Sequence, residues 1–240
     1  MPTTIDRATW PRRHHLAFFE GFAQPHYCLT STVDATALVA ALRASGAKPF
    51  AAMLHAVTWA TNAEQALRIR LRWTHENSPA QVVLHDVIHP SFTAAVESPD
   101  PTAPGCDLPL FAYATARYSP HFPTFARRVA EVSARVRTDP DLVAHATQDT
   151  DELIFVSSLP WMSYSAVSHA MLDPARDSVP RIMWGRFAEE DGRTTVSVSV
   201  QVHHGLADGG HVARWLRRLQ SRLDAPGWLE PGEPAPPLAG

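Results

Sequence analysis

Residues 194–223 read TTVSVSVQVHHGLADGGHVARWLRRLQSRL. The first half alternates. Val196, Val198, Val200 and Val202 fall on one side, and Ser197, Ser199 and Gln201 on the other, which is the period-two pattern of a half-buried strand. The second half changes period: Val212, Trp215, Leu216, Leu219 and Leu223 recur at the spacing of one helix face. A strand therefore runs into a helix across a short turn, where Gly209 and Gly210 leave room for a tight bend.

Working outward, residues 181–188 (RIMWGRFA) read as the hairpin partner of that strand, with Asp191-Gly192 in the turn. Residues 34–44 read as a helix that Asp34 or Thr32 can cap, with Gly46 just past its end. Residues 49–63 form a second, very apolar helix, started by Pro49 where proline fits best. In 121–137, Phe122, Phe125, Val129, Val132 and Val136 share one helical face. The stretch 97–110 is a proline-rich loop, and the Pro/Gly-rich tail 226–240 is expected to fray. That leaves one domain over 1–225. Strands and helices interleave, yet no Gly-rich phosphate loop follows a strand, and the lone Asp208-Gly209-Gly210 is no dinucleotide fingerprint.

The chain has 240 residues, 45% apolar and 19% charged, which is enough to bury a core and too apolar for disorder. A formal net charge of -3 speaks against a nucleic-acid partner. Lys48 is the sole lysine. Cys28 and Cys106 belong to no CxxC pair, so a disulfide framework or a cysteine-based zinc site is not expected. There is no signal-type N-terminus, and no run approaches the ~18 apolar residues of a membrane span. A cytoplasmic protein without membrane attachment is the expectation.

The chemistry concentrates in His203-His204-Gly205-Leu206-Ala207-Asp208-Gly209. Alternation puts His204 on the valine side at the end of the strand and His203 on the serine side. Burial there disfavours an imidazolium, and a neutral imidazole is what a general base requires. Spacing alone leaves alternatives open. His204 could be a core histidine satisfied by a carbonyl, with Asp208 only capping the helix. His204, Asp208 and His211 could also form a metal site, though the strand-to-helix break turns their side chains apart.

At this point the sequence resembles a known family. QVHHGLADGGHVARWLRRLQ is similar to the catalytic signature of chloramphenicol acetyltransferases, in which HHxxxDG precedes HVARF-like and RLQ-like residues. Other segments follow in the family's order. Trp10-Pro11-Arg12-Arg13 with Phe18-Phe19 resembles its W-x-R-R…F-Y. Cys28-Leu29-Thr30 then Asp34 resembles its S-L-T…D. His89-Pro90-Ser91-Phe92-Thr93 resembles its D-P-x-F-T, and Ser157-Ser158-Leu159-Pro160-Trp161 its S-A-L-P-W. The resemblance spans roughly residues 5–223.

The resemblance implies an α/β two-layer sandwich of a mixed sheet and packed helices. It also implies a homotrimer with each active site between two subunits, acting on a small-molecule hydroxyl acceptor with acetyl-CoA as co-substrate. No permanently bound cofactor and no metal are implied. His204 matches the general base and Ser157 the hydroxyl that stabilises the oxyanion. Asp208 matches an aspartate that pairs with Arg12 and supports the base. Lys48, Phe50, Trp161, Arg186 and Phe187 match positions that meet coenzyme A. Phe18, Phe19, Tyr27, Thr93, Phe155 and Met183 match the acceptor pocket.

Several of these depart from the family pattern. Phe19 stands for a tyrosine, Pro25 for a cysteine, Phe155 for an asparagine and Met183 for a threonine. Chloramphenicol acetylation is the first expectation. The alternatives are an O-acetyltransferase of the same fold with another hydroxylated acceptor and a non-catalytic trimeric binding protein. A dihydrolipoyl transferase fits less well, because no lipoyl domain or Pro/Ala linker precedes the motif.

Overall fold

A computed structural model describes residues 2–75, 78–97, 100, 102–105, 107–138 and 150–230. Cys106, part of the 97–110 loop and tail residues 231–240 lie outside them. Sixteen-residue α5 (Gly209–Asp224) follows the eleven-residue strand β10 (Arg193–His203), as the changing periodicity requires. β10 is central to the large sheet. It pairs antiparallel with β2 (His26–Asp34) on one side and with β8 (Arg181–Trp184) and β9 (Ala188–Glu190) on the other. The hairpin is thus real but broken at Gly185–Phe187. Asp191 and Gly192 turn it with φ of 50° and 74°, the left-handed pair that a two-residue hairpin turn demands. Beyond β8 the sheet continues through β7 (Leu153–Ser158), β5 (His89–Val96) and β6 (Leu110–Thr115). β5, β7 and β8 run parallel and the other pairs antiparallel, so the sheet is mixed.

The valine face of β10 meets the helices. Val196, Val198, Val200 and Val202 share a core with Leu38 and Leu42 of α2 (Thr36–Ser45) and the apolar α3 (Pro49–Ala63). Phe122, Phe125 and Val129 of α4 (Phe122–Thr138) and Val212, Trp215, Leu219 and Leu223 of α5 complete it. Burying a side chain of this kind stabilises by about 1.5–3 kcal/mol. Asp34 caps α2 from one residue further out than the helix edge, accepting the Thr36 N–H at 2.9 Å, and Gly46 ends the helix at φ 69°. Thr32 takes no part in that cap. The opposite face of the sheet is covered only in part, by the segment 159–180. Tyr164 donates to the Met183 carbonyl at 2.7 Å and Gln201 reaches Met171 at 3.1 Å.

Two features depart from the sequence expectation. A small antiparallel sheet forms from β1 (Thr3–Ile5), β4 (Gln81–Leu84) and β3 (Ile69–Arg72). One link to the main sheet is Arg70, wholly buried, whose guanidinium donates to the carbonyls of Leu67, Ile69, Asp151 and Leu153. The second correction concerns the tail. Pro226–Leu229 does not fray; it forms a 3-10 turn with Trp228 and Leu229 buried. The Trp228 Nε1 donates to the Arg222 carbonyl at 2.9 Å, and the Arg222 guanidinium lies 4.5 Å from the Trp228 ring and 5.0 Å from the Trp59 ring. Two large apolar side chains outweigh the Pro/Gly bias of the segment.

Candidate active site

β10 carries His203 and His204 past the last rung of the sheet. His203 pairs with His26, and the His204 N–H then donates to the Pro25 carbonyl at 2.8 Å. His203 is buried on the serine face; its Nδ1 accepts the Gly205 N–H at 3.1 Å, and burial pushes its pKa down to about 4. It serves as backbone support. A Cβ on Gly205 would stand 3.0 Å from the His203 ring and 3.2 Å from Leu16 Cα, so a larger residue in this turn would have to push the His203 ring or α1 aside.

His204 falls on the valine side, as alternation predicts. Phe19, at the end of α1 (Arg13–Phe19), stacks on its imidazole at 4.3 Å between centroids, and Tyr27, opposite Val202 in the ladder, flanks it at 4.5 Å. Nδ1 is buried, which leaves Nε2 as the nitrogen that can meet a substrate. Phe18 closes an aromatic triangle with Phe19 and with Phe22, at centroid distances of 5.1 to 5.2 Å. Phe22 escaped the sequence reading. Its signal is the Phe-Phe-x-x-Phe spacing, and both Phe18 and Phe22 stay exposed.

Arg12 sits just before α1 and reaches across 196 positions of chain to Asp208, with Nη1 to Oδ2 at 2.9 Å. The same guanidinium donates to the carbonyls of His204 at 3.3 Å and Gly205 at 3.4 Å. Asp208 is also the N-cap of α5, accepting the Gly210 N–H at 3.1 Å, and it meets His211 Nδ1 at 2.7 Å. The cap and the ion pair are therefore two uses of one carboxylate. Burial opposes its charge, but the hydrogen bonds from Arg12 and His211 outweigh that and hold its pKa well below the usual carboxylate range.

The profile of the family described as "Chloramphenicol acetyltransferase" matches residues 2–220. The chain belongs to that family. It is 34% identical to the chloramphenicol acetyltransferase of Streptomyces acrimycini over 228 residues, covering 95% of this chain and 97% of that one. It is 29% identical to chloramphenicol acetyltransferase 2 of Escherichia coli, covering 92% and 97%. A solved chloramphenicol acetyltransferase superposes with a TM-score of 0.79 at 22% identity over 93% of this chain and all of that one. Dihydrolipoamide acetyltransferase of Azotobacter vinelandii shares the fold at a TM-score of 0.62 and 18% identity, over 90% and 88% of the two chains. The protein is an acyltransferase of the chloramphenicol acetyltransferase family, whose co-substrate is acetyl-CoA.

The remaining residues singled out for their match to the family lie elsewhere. Ser157 pairs with Met183, and Met183 with Ser199. His204 is five residues beyond Ser199, on the order of 16 Å along the strand and about 9 Å across it. One chain therefore does not bring His204 and Ser157 within reach of one substrate. At the Ser157 end, Phe50 and Thr93 line a cavity of about 460 Å³ with Ser158 and Arg137. Phe50 packs 5.6 Å from Trp184, and Lys48, Trp161 and Arg186 are exposed around the same end of the sheet, with Phe187 half-buried. Phe155 is not open to a ligand on all sides, since the Arg181 guanidinium lies 5.2 Å above its ring. Among the described residues, no helix is long and apolar enough to cross a membrane.

Proposed function

We propose that this protein moves the acetyl group of acetyl-CoA to a hydroxyl of chloramphenicol. The observation that carries the proposal is the clamp around His204: Arg12 holds both the backbone of the His204 turn and the Asp208 carboxylate at its far end. A base fixed in this way, between two aromatic rings, is preorganised. Nε2 takes the proton from the acceptor hydroxyl, and the oxygen attacks the thioester carbonyl. The Ser157 hydroxyl donates to the resulting oxyanion. Collapse expels the CoA thiolate, which takes the proton from the imidazolium. Acetyl-CoA binds as a co-substrate, and free CoA leaves with the acetylated product.

The separation of His204 from Ser157 supports a homotrimer in which His204 of one subunit faces Ser157 of its neighbour. The exposed Phe18 and Phe22 then become part of a covered acceptor wall with Phe19 and Tyr27. Thr93, Phe155 and Met183 complete that wall from the neighbour. Lys48 and Arg186 offer cations for the phosphates of CoA, and Phe50, Phe187 and Trp161 offer apolar surface for the rest of it.

Co-expression of His204→Ala with Ser157→Ala subunits tests both the roles and the assembly. Each homogeneous variant is impaired, whereas random mixing rebuilds about a quarter of the sites if each is shared between neighbours. Chloramphenicol-dependent release of CoA thiol should recover in the mixture to that fraction. No recovery would mean that the two residues do not meet across a subunit boundary.

A further inference from the structure

We infer that His211 is a positioning residue for the acyl transfer, holding the His204 turn through Asp208. This rests on the reading of His204 as the base. Asp208 has two carboxylate oxygens with separate duties. Oδ2 faces Arg12 at 2.9 Å, and Oδ1 receives the Gly210 N–H at 3.1 Å and His211 Nδ1 at 2.7 Å. His211 Nδ1 also lies 3.2 Å from the Asp208 backbone nitrogen. One ring nitrogen cannot accept from that N–H and donate to the carboxylate at once. The shorter, charge-assisted contact decides it: Nδ1 carries the proton and donates to Oδ1.

The geometry explains why such a donor is needed. The Asp208 side chain is 41% exposed, against 16% for Arg12, so water competes for the carboxylate. Without His211, Oδ1 would keep only the single Gly210 N–H at 3.1 Å, an exposed bond that water can replace, and the guanidinium would be freer to drift from the His204 and Gly205 carbonyls. A shorter, second donor on Oδ1, from a ring on the first turn of α5, fixes the carboxylate plane. The third helical position usually carries Glu or Gln to accept the N-cap N–H. Here a Glu would place a second negative charge beside Asp208 and compete for Arg12. A histidine donor does neither. The order of support runs from α5 through His211, Asp208 and Arg12 to the backbone of His204, so the substrate never touches His211.

Four variants test this, with kcat and KM for both substrates measured well below every melting temperature. His211→Phe keeps the ring and removes the donor; kcat should fall about 10- to 100-fold with KM little changed, the effect of a misplaced base. His211→Asn places an N–H where Nδ1 stands and should stay within about threefold of wild type, because the donor is restored. In an Asp208→Leu background, which removes the acceptor, His211→Phe should change kcat less than about twofold. If His211→Phe does not fold, His211→Ala against His211→Asn gives the same contrast. Multiplying losses in the Asp208→Leu background, an Asn variant as slow as Phe or Ala, or an unchanged His211→Phe each overturns the inference. An active His204→Ala would instead overturn the base assignment beneath it.

Discussion

Replacing Asp208 by asparagine isolates the charge at the centre of the clamp. Asparagine keeps an oxygen that can cap α5, and Asn and Asp are nearly equal as caps. The loss is then the charge seen by Arg12 and His211. A fully buried pair broken in this way costs about 3–5 kcal/mol. The Asp208 side chain is 41% exposed, so solvent screening lowers the expected cost to about 1–2 kcal/mol. For a chain of this size that is about 2–8 °C in Tm, compared at one protein concentration because assembly shifts Tm. The pH dependence has a fixed sign. The folded pKa of Asp208 lies below its unfolded value, so its stabilisation is present above the unfolded value of about 3.9 and is lost as pH falls below it. The gap in Tm between wild type and Asp208→Asn should therefore be constant through neutral pH and shrink below about pH 4. The double variant Arg12→Leu with Asp208→Leu leaves no orphan charge and should regain part of the stability, but not kcat, because the His204 and Gly205 carbonyls lose their donor. Thermal melts and thiol-release kinetics on single and double variants decide it. If Arg12→Leu and Asp208→Leu losses simply add, the two side chains do not interact and Asp208 is an N-cap alone.

His204→Ala should lower acetyl transfer by ~10²–10⁴ without shifting the circular-dichroism spectrum; retention of more than about a tenth of wild-type kcat places the base elsewhere. Ser157→Ala should lower kcat by ~10²–10³ with a smaller change in KM; a change in KM alone would make it a shaping residue. Sedimentation should find a trimer, and a fully active monomer would refute the shared site. Trp228→Ala should destabilise by about 3–5 kcal/mol, read from urea unfolding, whereas a frayed tail would make it silent.

The parts of the fold legible in the sequence are those where one periodicity dominates. The alternating valines of β10, the Pro49 start of α3 and the Asp191-Gly192 turn all stand where their local chemistry puts them. The small sheet was not legible, because its strands are short and β3 reads Ile-Arg-Leu-Arg. An arginine there suggests solvent, yet Arg70 is wholly buried and finds four carbonyls, which no sequence window contains. The Pro226 segment misleads in the opposite direction, since its composition hides two anchors. At the candidate site, spacing placed His204 on the correct face but left the partner of Asp208 undetermined, because that partner is 196 positions away. The pairing register gives a separate, geometric ground for the shared site that the resemblance implies. It sets His204 and Ser157 at separated points of one sheet, so chemistry that uses both residues requires two chains. The exposed Phe18 and Phe22 beside His204 are consistent with that requirement, since apolar rings around a base are useful only where water is excluded. In the proposed trimer the covering surface comes from the neighbour that also brings Ser157.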